Sequence, residues 1–452
     1  MKAISTLKKY IKIPLSSIYA LFGYFLNPSS ELKKYFANTT WVLVEKLIRI
    51  VLYFIIGVWI VRYLGPTQYG FLTYSQSIIY FFIGVASLGL DEIVVRELVK
   101  KDAEINKILG TAFLLKFIIS IFLLSSIFLI IIFLGNQGKA SQMILVLGLA
   151  MVFLPLNIIN FYFQYKVMLR YTSIANIGAI AITCLIKVYL ILYEYDVIYF
   201  AIIQTIEIFL LSLFLLYFFE LKGSISIFSL KFDKNMGVRF LKDSWPLIFT
   251  GIFINIYMKI DQIMITQFLG ATENGIYSAA ILLSEGFYFI PLVICLSIFP
   301  KILHAKDNQY LYTLRLKRLY FLMIWLAFSI AVVITLSSNF LVLSFFGSAY
   351  EDSIKVLIIH IWTCVFVFIG VANSKYLIAE NLQKYYFFNT MFGAIINVIL
   401  NYAFLASYGV VVAAWSSLIS YAFASYICLF FFKQTRLSFY DISKSFISFP
   451  KA

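Results

Sequence analysis

A passage in the first part of the chain returns, recognisably, in the second. Residues 62–75 read RYLGPTQYGFLTYS and residues 267–280 read QFLGATENGIYSAA, so that Leu64, Gly65, Thr67 and Gly70 fall on Leu269, Gly270, Thr272 and Gly275. In both places the passage joins two long apolar runs. A chain duplicated in this way folds as two similar halves. Two such halves can rock about a site held between them, which is a plan that transporters use.

Composition sets the solvent. Of the 452 residues 62% are hydrophobic and 13% charged, and the mean hydropathy is +0.94, whereas a water-soluble domain carries about 25% charged residues. The chain therefore reads as a polytopic membrane protein. No basic stretch, apolar core and small-residue cleavage site precede it, so no cleaved leader is expected. Cys184, Cys295, Cys364 and Cys428 all sit inside apolar runs without metal-ligand spacing, which argues against zinc and disulfides.

Runs of about 20 apolar residues match a hydrocarbon core of about 30 Å. They predict helices at 41–63, 68–90, 108–134, 140–162, 172–193 and 197–221, then at 244–269, 274–299, 314–337, 353–378, 385–406 and 409–432. The expected fold is all-α: about twelve transmembrane helices in two pseudo-symmetric six-helix bundles around a central cavity. The bundles occupy 41–221 and 244–432, with a linker at 222–243. Each bundle has an even number of spans, so the repeat axis should run along the membrane normal. Continuous runs of this length exclude a barrel, whose strands alternate over about ten residues.

Most of the 36 basic residues fall in 1–40, 91–107, 163–171, 222–243, 300–318 and 433–452, while the alternate connections hold only Arg62 and Lys139. The positive-inside bias then places both termini in the cytoplasm, with 433–452 as a cytoplasmic tail. It also accounts for the net charge of +15 without nucleic acid. Residues 1–40 form a basic segment whose apolar stretch 13–26 is too short to span and suits an interfacial helix.

The passages RYLGPTQYGFL, ASLGLDEIVVREL, KIDQIMITQFLGATENGIYSAA through SIFPKI, and YGVVVAAWSSLISY resemble the Wzx-type O-antigen flippases of the MOP superfamily over roughly 41–432. The resemblance implies a MATE-like pair of bundles with a V-shaped cavity in the bacterial inner membrane. It also implies passage of a polyprenyl-diphosphate-linked oligosaccharide to the outer leaflet, with no cofactor. Lipids, the lipid-linked substrate and other polysaccharide-assembly membrane proteins are the partners it suggests.

A diphosphate head group needs a wet, cationic route. Charged residues within spans are rare and usually face a bundle interior or a water-filled cavity. Lys46, Arg49, Lys116, Lys187 and Lys259 are the expected route, with Lys259 deepest in its helix. Alternative readings stand beside it: Glu45 at i,i+4 can neutralise Arg49, Lys116 and Lys187 can snorkel, and Asp261 can balance Lys259. Lys355 and Lys375 read as anchors near helix ends, and His360 as a hydrogen-bonded interior histidine. Glu207, Asp261 and Glu285 lie roughly 13–16 Å from the outer helix ends at about 1.5 Å per residue. An isolated carboxylate there is protonated, paired or cation-bound, so these three are candidates for proton or sodium coupling, or else hold helices together. Gly65, Gly70, Gly270 and Gly275 read as structural corners, Gly65 and Gly270 ending one span and Gly70 and Gly275 opening the next. Asn397 and Asn401 share one helix face.

Two rivals belong to other classes. A membrane polymerase or glycosyltransferase needs catalytic groups on a large outer loop, yet the longest expected here, near 338–352, holds only Glu351 and Asp352 as acids. No nucleotide-cradling motif appears. A MATE-like drug exporter is the nearer rival, disfavoured by the excess of cations within the spans.

Overall fold

The computed structural model describes residues 30–100, 104–133 and 138–449, and these residues are helical with short connections. The apolar stretch 13–26 lies outside the described residues. The helices are α1 (Ser30–Ala86), α2 (Leu90–Leu98), α3 (Ile105–Phe133), α4 (Lys139–Leu149), α5 (Ile158–Tyr165), α6 (Leu169–Leu192) and α7 (Val197–Lys222). There follow α8 (Lys234–Leu269), α9 (Ala271–Glu285), α10 (Phe289–Leu303), α11 (Gln309–Phe345), α12 (Ser353–His360), α13 (Thr363–Ala379), α14 (Gln383–Tyr408), α15 (Val411–Ala422), α16 (Cys428–Phe431) and α17 (Arg436–Ile447).

Polar side chains turn inward and apolar ones outward, as hydrocarbon solvent demands. Ser75, Ser77, Asn274 and Asn397 are fully buried, while Phe122, Phe133, Leu185 and Leu336 are exposed. Nine helices among the described residues are long and apolar enough to cross a membrane, or ten if the pair bent by 43° over Lys139–Tyr165 counts as one. One of the nine, Thr40–Leu98, is 59 residues long and kinks at Gly65, and each predicted run is helical over most of its described residues. The expected twelve crossings are compatible with this pattern.

Boundaries differ where glycine, proline and charge punctuate the runs weakly. Helix α1 is already helical at Ser30, the first described residue, so 30–40 continue into the first span rather than ending before it. Helix α11 runs to Phe345, which shortens the connection expected at 338–352. The tail 433–452 contains α17, docked on α11 through fully buried Ile442 and a 3.2 Å ion pair between Lys317 and Asp441.

The linker region is not a loose tether. The Lys231 amide donates to the Asn106 carbonyl at 3.1 Å and the Asp233 amide to Thr111 Oγ1 at 3.0 Å. Phe240, near the start of α8, is fully buried among first-half residues such as Leu109 and Phe219, whereas Met264 and Ile265, near its end, belong to the second-half core. Arg96 and Arg239 add ion pairs to Asp243 and Glu97 at 2.9 and 3.2 Å. Helix α8 thus has a foothold in both cores.

The repeated passage forms the junction between halves. Gly65 (φ 68°, ψ 170°) and Gly270 (φ 99°, ψ 172°) occupy a backbone region that only glycine enters cheaply, and each turns one span into the next. Gly70 and Gly275 lie inside the following helices and have another task. A Cβ on Gly70 would stand 1.7 Å from the Ala271 carbonyl oxygen, and one on Gly275 would stand 1.8 Å from that of Pro66. The expectation that they help to open the next span is therefore corrected: their missing side chains let the two halves touch backbone to backbone. Across that contact Thr67 and Thr272 hydroxyls lie 2.8 Å apart and those of Thr73 and Ser278 3.1 Å apart. Equivalent residues meet only on a two-fold axis. Two such pairs, six residues apart along the helix, set that axis along the helix direction.

Candidate functional site

Each half holds a polar cavity. In the first, a space of about 480 Å³ is lined by Arg49, Tyr53, Gln76, Tyr80, Asn176, Lys187, Gln204 and Glu207 among apolar neighbours. The second, about 260 Å³, is lined by Tyr257, Tyr288, Asn373, Lys375, Tyr386, Asn389 and Tyr421. Gly370 and Gly393 keep its walls close, since a Cβ would stand 2.6 Å from Ser425 Oγ and 3.1 Å from the Tyr257 ring. A π-helical turn at Phe423–Ile427 brings Ala424 and Ser425 into the same wall. Such turns recur at functional sites because they re-aim side chains without breaking the helix.

The structure pairs most of the predicted cations. Arg49 lines the first cavity and meets Glu45 at 3.0 Å, while Lys187 Nζ donates to Glu207 at 2.9 Å. Glu207 also accepts from Thr183 at 3.0 Å and from Tyr53, whose ring lies under Lys187. Lys187 is thus buried, not snorkelling. Lys116 lies apart from both cavities, 2.6 Å from Asp91 and over the Phe161 ring, so its place on a shared route is corrected. Lys259 meets Glu285 at 3.3 Å rather than Asp261, both side chains about one-fifth exposed. Lys46 is half-buried, lines neither cavity and has no ion pair among the described residues. The corrected picture is one of neutralised cations, because burial of a charge is tolerated only with a partner.

The three carboxylates separate by their surroundings. Glu207 and Glu285 each face a lysine. Asp261, 3% exposed, accepts hydrogen bonds among the described residues from neutral groups: Tyr277 Oη at 2.7 Å, Asn401 Nδ2 at 2.5 Å and Ser417 Oγ. Asn401 Nδ2 also reaches Asn397 Oδ1 at 3.2 Å, and among the described residues Asn401 Oδ1 and Ser420 Oγ are buried without a hydrogen-bond partner. His360 is a hydrogen-bonded interior residue, as read, with Nδ1 2.8 Å from Ser284 Oγ.

Sequence reasoning set Lys375 aside as an anchor, yet it lines the second cavity and has no carboxylate partner among the described residues. It also passed over Tyr53, one turn beyond Arg49, and Tyr386, Asn389 and Thr390, which precede the expected pair Asn397 and Asn401 on α14. Both follow helical spacing and were available signals. Near the junction, Lys139 hydrogen-bonds Asp196 at 2.7 Å and holds its carboxyl below the usual range.

The family described as polysaccharide biosynthesis protein matches residues 35–302, more than half of the chain. An uncharacterized membrane protein of Methanocaldococcus jannaschii is 24% identical over 186 residues, covering 41% of this chain and 44% of that protein. The chain thus spans less than half the length of that relative. Among solved structures, a lipid II flippase MurJ in an inward closed conformation superimposes with a TM-score of 0.67 at 17% identity, covering 89% of this chain and 90% of that one. An inward-facing multidrug resistance MATE family transporter gives 0.64 at 14%, covering 87% and 96%. A MOP superfamily transporter from Pyrococcus furiosus gives 0.61 at 13%, covering 91% and 96%. These likenesses establish the MATE-like fold, and the chain belongs to the polysaccharide biosynthesis protein family.

Proposed function

We propose that the protein is a flippase for a polyprenyl-diphosphate-linked oligosaccharide, such as the repeat unit of an O-antigen or another surface polysaccharide. It would carry the head group from the leaflet beside its basic loops to the opposite one. The observation that carries this reading is the lining of the two cavities: Arg49 and Lys187, answered by Glu45 and Glu207, and Lys375, which has no carboxylate partner among the described residues, stand among tyrosines and amides. Cations suit a diphosphate, and tyrosine faces with amides suit sugar rings and hydroxyls. A cationic drug would meet repulsion from Lys375 in the second cavity. The tail never needs to leave the lipid.

Asp261 is the best coupling residue in this reading. Its charge, buried among neutral donors, can be met only by a proton or a cation, whereas Glu207 and Glu285 are already answered by lysines. Protein reconstituted in vesicles with defined lipid-linked glycans, with and without a proton or sodium gradient, tests the proposal. Transfer that depends on the protein and is hastened by a gradient supports it. Transfer of cationic dyes but of no lipid-linked glycan defeats it in favour of a drug exporter.

A further inference from the structure

At the end of the bundle opposite the Gly65 and Gly270 turns, α10, the turn after it and α11 enclose a recess of about 500 Å³. Lys301, His304, Arg315 and Arg318 line it together with Ile298, Ile302, Leu319 and Leu322. Neighbouring Lys306 and Lys317 are paired, to Glu380 at 3.2 Å and Asp441 at 3.2 Å. Among the described residues, none of the four lining groups has a carboxylate partner. Arg315 Nη1 donates to the Lys301 carbonyl at 2.6 Å, which fixes the last turn of α10 and the arginine arm together. Four of the eight lining side chains are apolar, and one of them, Leu322, is exposed.

We propose that this recess binds the phosphate head group of an anionic membrane phospholipid, with an acyl chain lying along Ile298, Leu319 and Leu322. The cations are concentrated at one end of an apolar groove, which matches a molecule that is anionic at one end and hydrocarbon at the other. Basic pockets between membrane helices on the positively charged side take such head groups. The recess shares no lining residue with either polar cavity, so it is separate from the space that the transported head group is proposed to use.

The test uses the full chain in detergent, with bound lipid counted by native mass spectrometry during titration with phosphatidylglycerol. Parallel titrations use phosphatidylcholine, a polyprenyl diphosphate and inorganic phosphate. The proposal expects retention of phosphatidylglycerol over phosphatidylcholine. Affinity should fall roughly fivefold per basic residue removed, and about a hundredfold in Lys301→Ala/Arg315→Ala/Arg318→Ala. Because Arg315 also caps α10, Lys301→Ala/Arg318→Ala is measured too and should lose proportionately less. Lys231→Ala/Lys234→Ala/Lys242→Ala, which removes equal charge from the linker region, should bind as the unaltered protein does. Equal weakening by both triple variants, or none by either, overturns the site. Preferential binding of the polyprenyl diphosphate or displacement of lipid by inorganic phosphate overturns the assignment to a membrane phospholipid.

Discussion

Thr67 and Thr272 touch hydroxyl to hydroxyl at 2.8 Å, each at the same position of its own half. Around them Asn274 Nδ2 donates to the Gly70 carbonyl at 2.8 Å and Tyr350 Oη to the Val61 carbonyl at 2.8 Å. The junction is therefore built largely from backbone, with side chains sealing its rim. It closes the bundle at the end that positive-inside bias places outside the cell.

Oxidation should join Thr67→Cys to Thr272→Cys, and the bond should arrest transport until it is reduced. Gly70→Ala or Gly275→Ala should lower the yield of that disulfide by forcing the backbones apart, with a cost of about 1–3 kcal/mol typical of overpacking. Gel mobility before and after reduction reads the yield. Undiminished cross-linking in both alanine variants would show that the contact is looser than the geometry states.

Asp261→Asn keeps the hydrogen-bonding shape of its network and removes the charge. Transport should persist but lose its dependence on a proton or sodium gradient, at unchanged abundance. Glu285→Gln should instead cost stability, about 1–3 kcal/mol, because it strands Lys259 in a partly exposed site; a fully buried pair would cost more. Gradient dependence and thermal unfolding separate the two outcomes, and their exchange between variants would reverse the assignment.

Lys375→Ala should reduce surface polysaccharide or vesicle flipping by about tenfold, the worth of one charge-assisted hydrogen bond, with normal protein abundance. Lys375→Arg should recover part of the activity. A loss matched by falling abundance would return Lys375 to the role of an anchor.

Reporter fusions active only outside the cell should be bright at 270–273 and dark at 222–243 and after 449. A bright carboxyl terminus would reverse the orientation and place the sealed junction on the inner side.

Much of the architecture could be read in advance because hydrocarbon leaves so few solutions: each apolar run became helix, and the repeated corner marked the meeting of the halves. What sequence could not settle was pairing. Lys187 and Glu207 are twenty residues apart on different helices, as are Lys259 and Glu285 at greater distance, and only tertiary packing decides that each answers the other. Gly70 and Gly275 carry the same lesson. Their spacing announced a repeat, but the reason for glycine was an approach by a segment two hundred residues away.

Helix α8 bears on how such a molecule can move. Its 36 residues correspond to about 54 Å, with Phe240 embedded at one end and Ile265 at the other, and Pro246 between them has no amide hydrogen to close its turn. A change of angle between the halves cannot be taken up by slack in a connection. It must appear as elastic bending of this one rod, or as release of Phe240 from its socket, so the span between Phe240 and Ile265 acts as a spring whose stiffness sets how readily the protein changes shape.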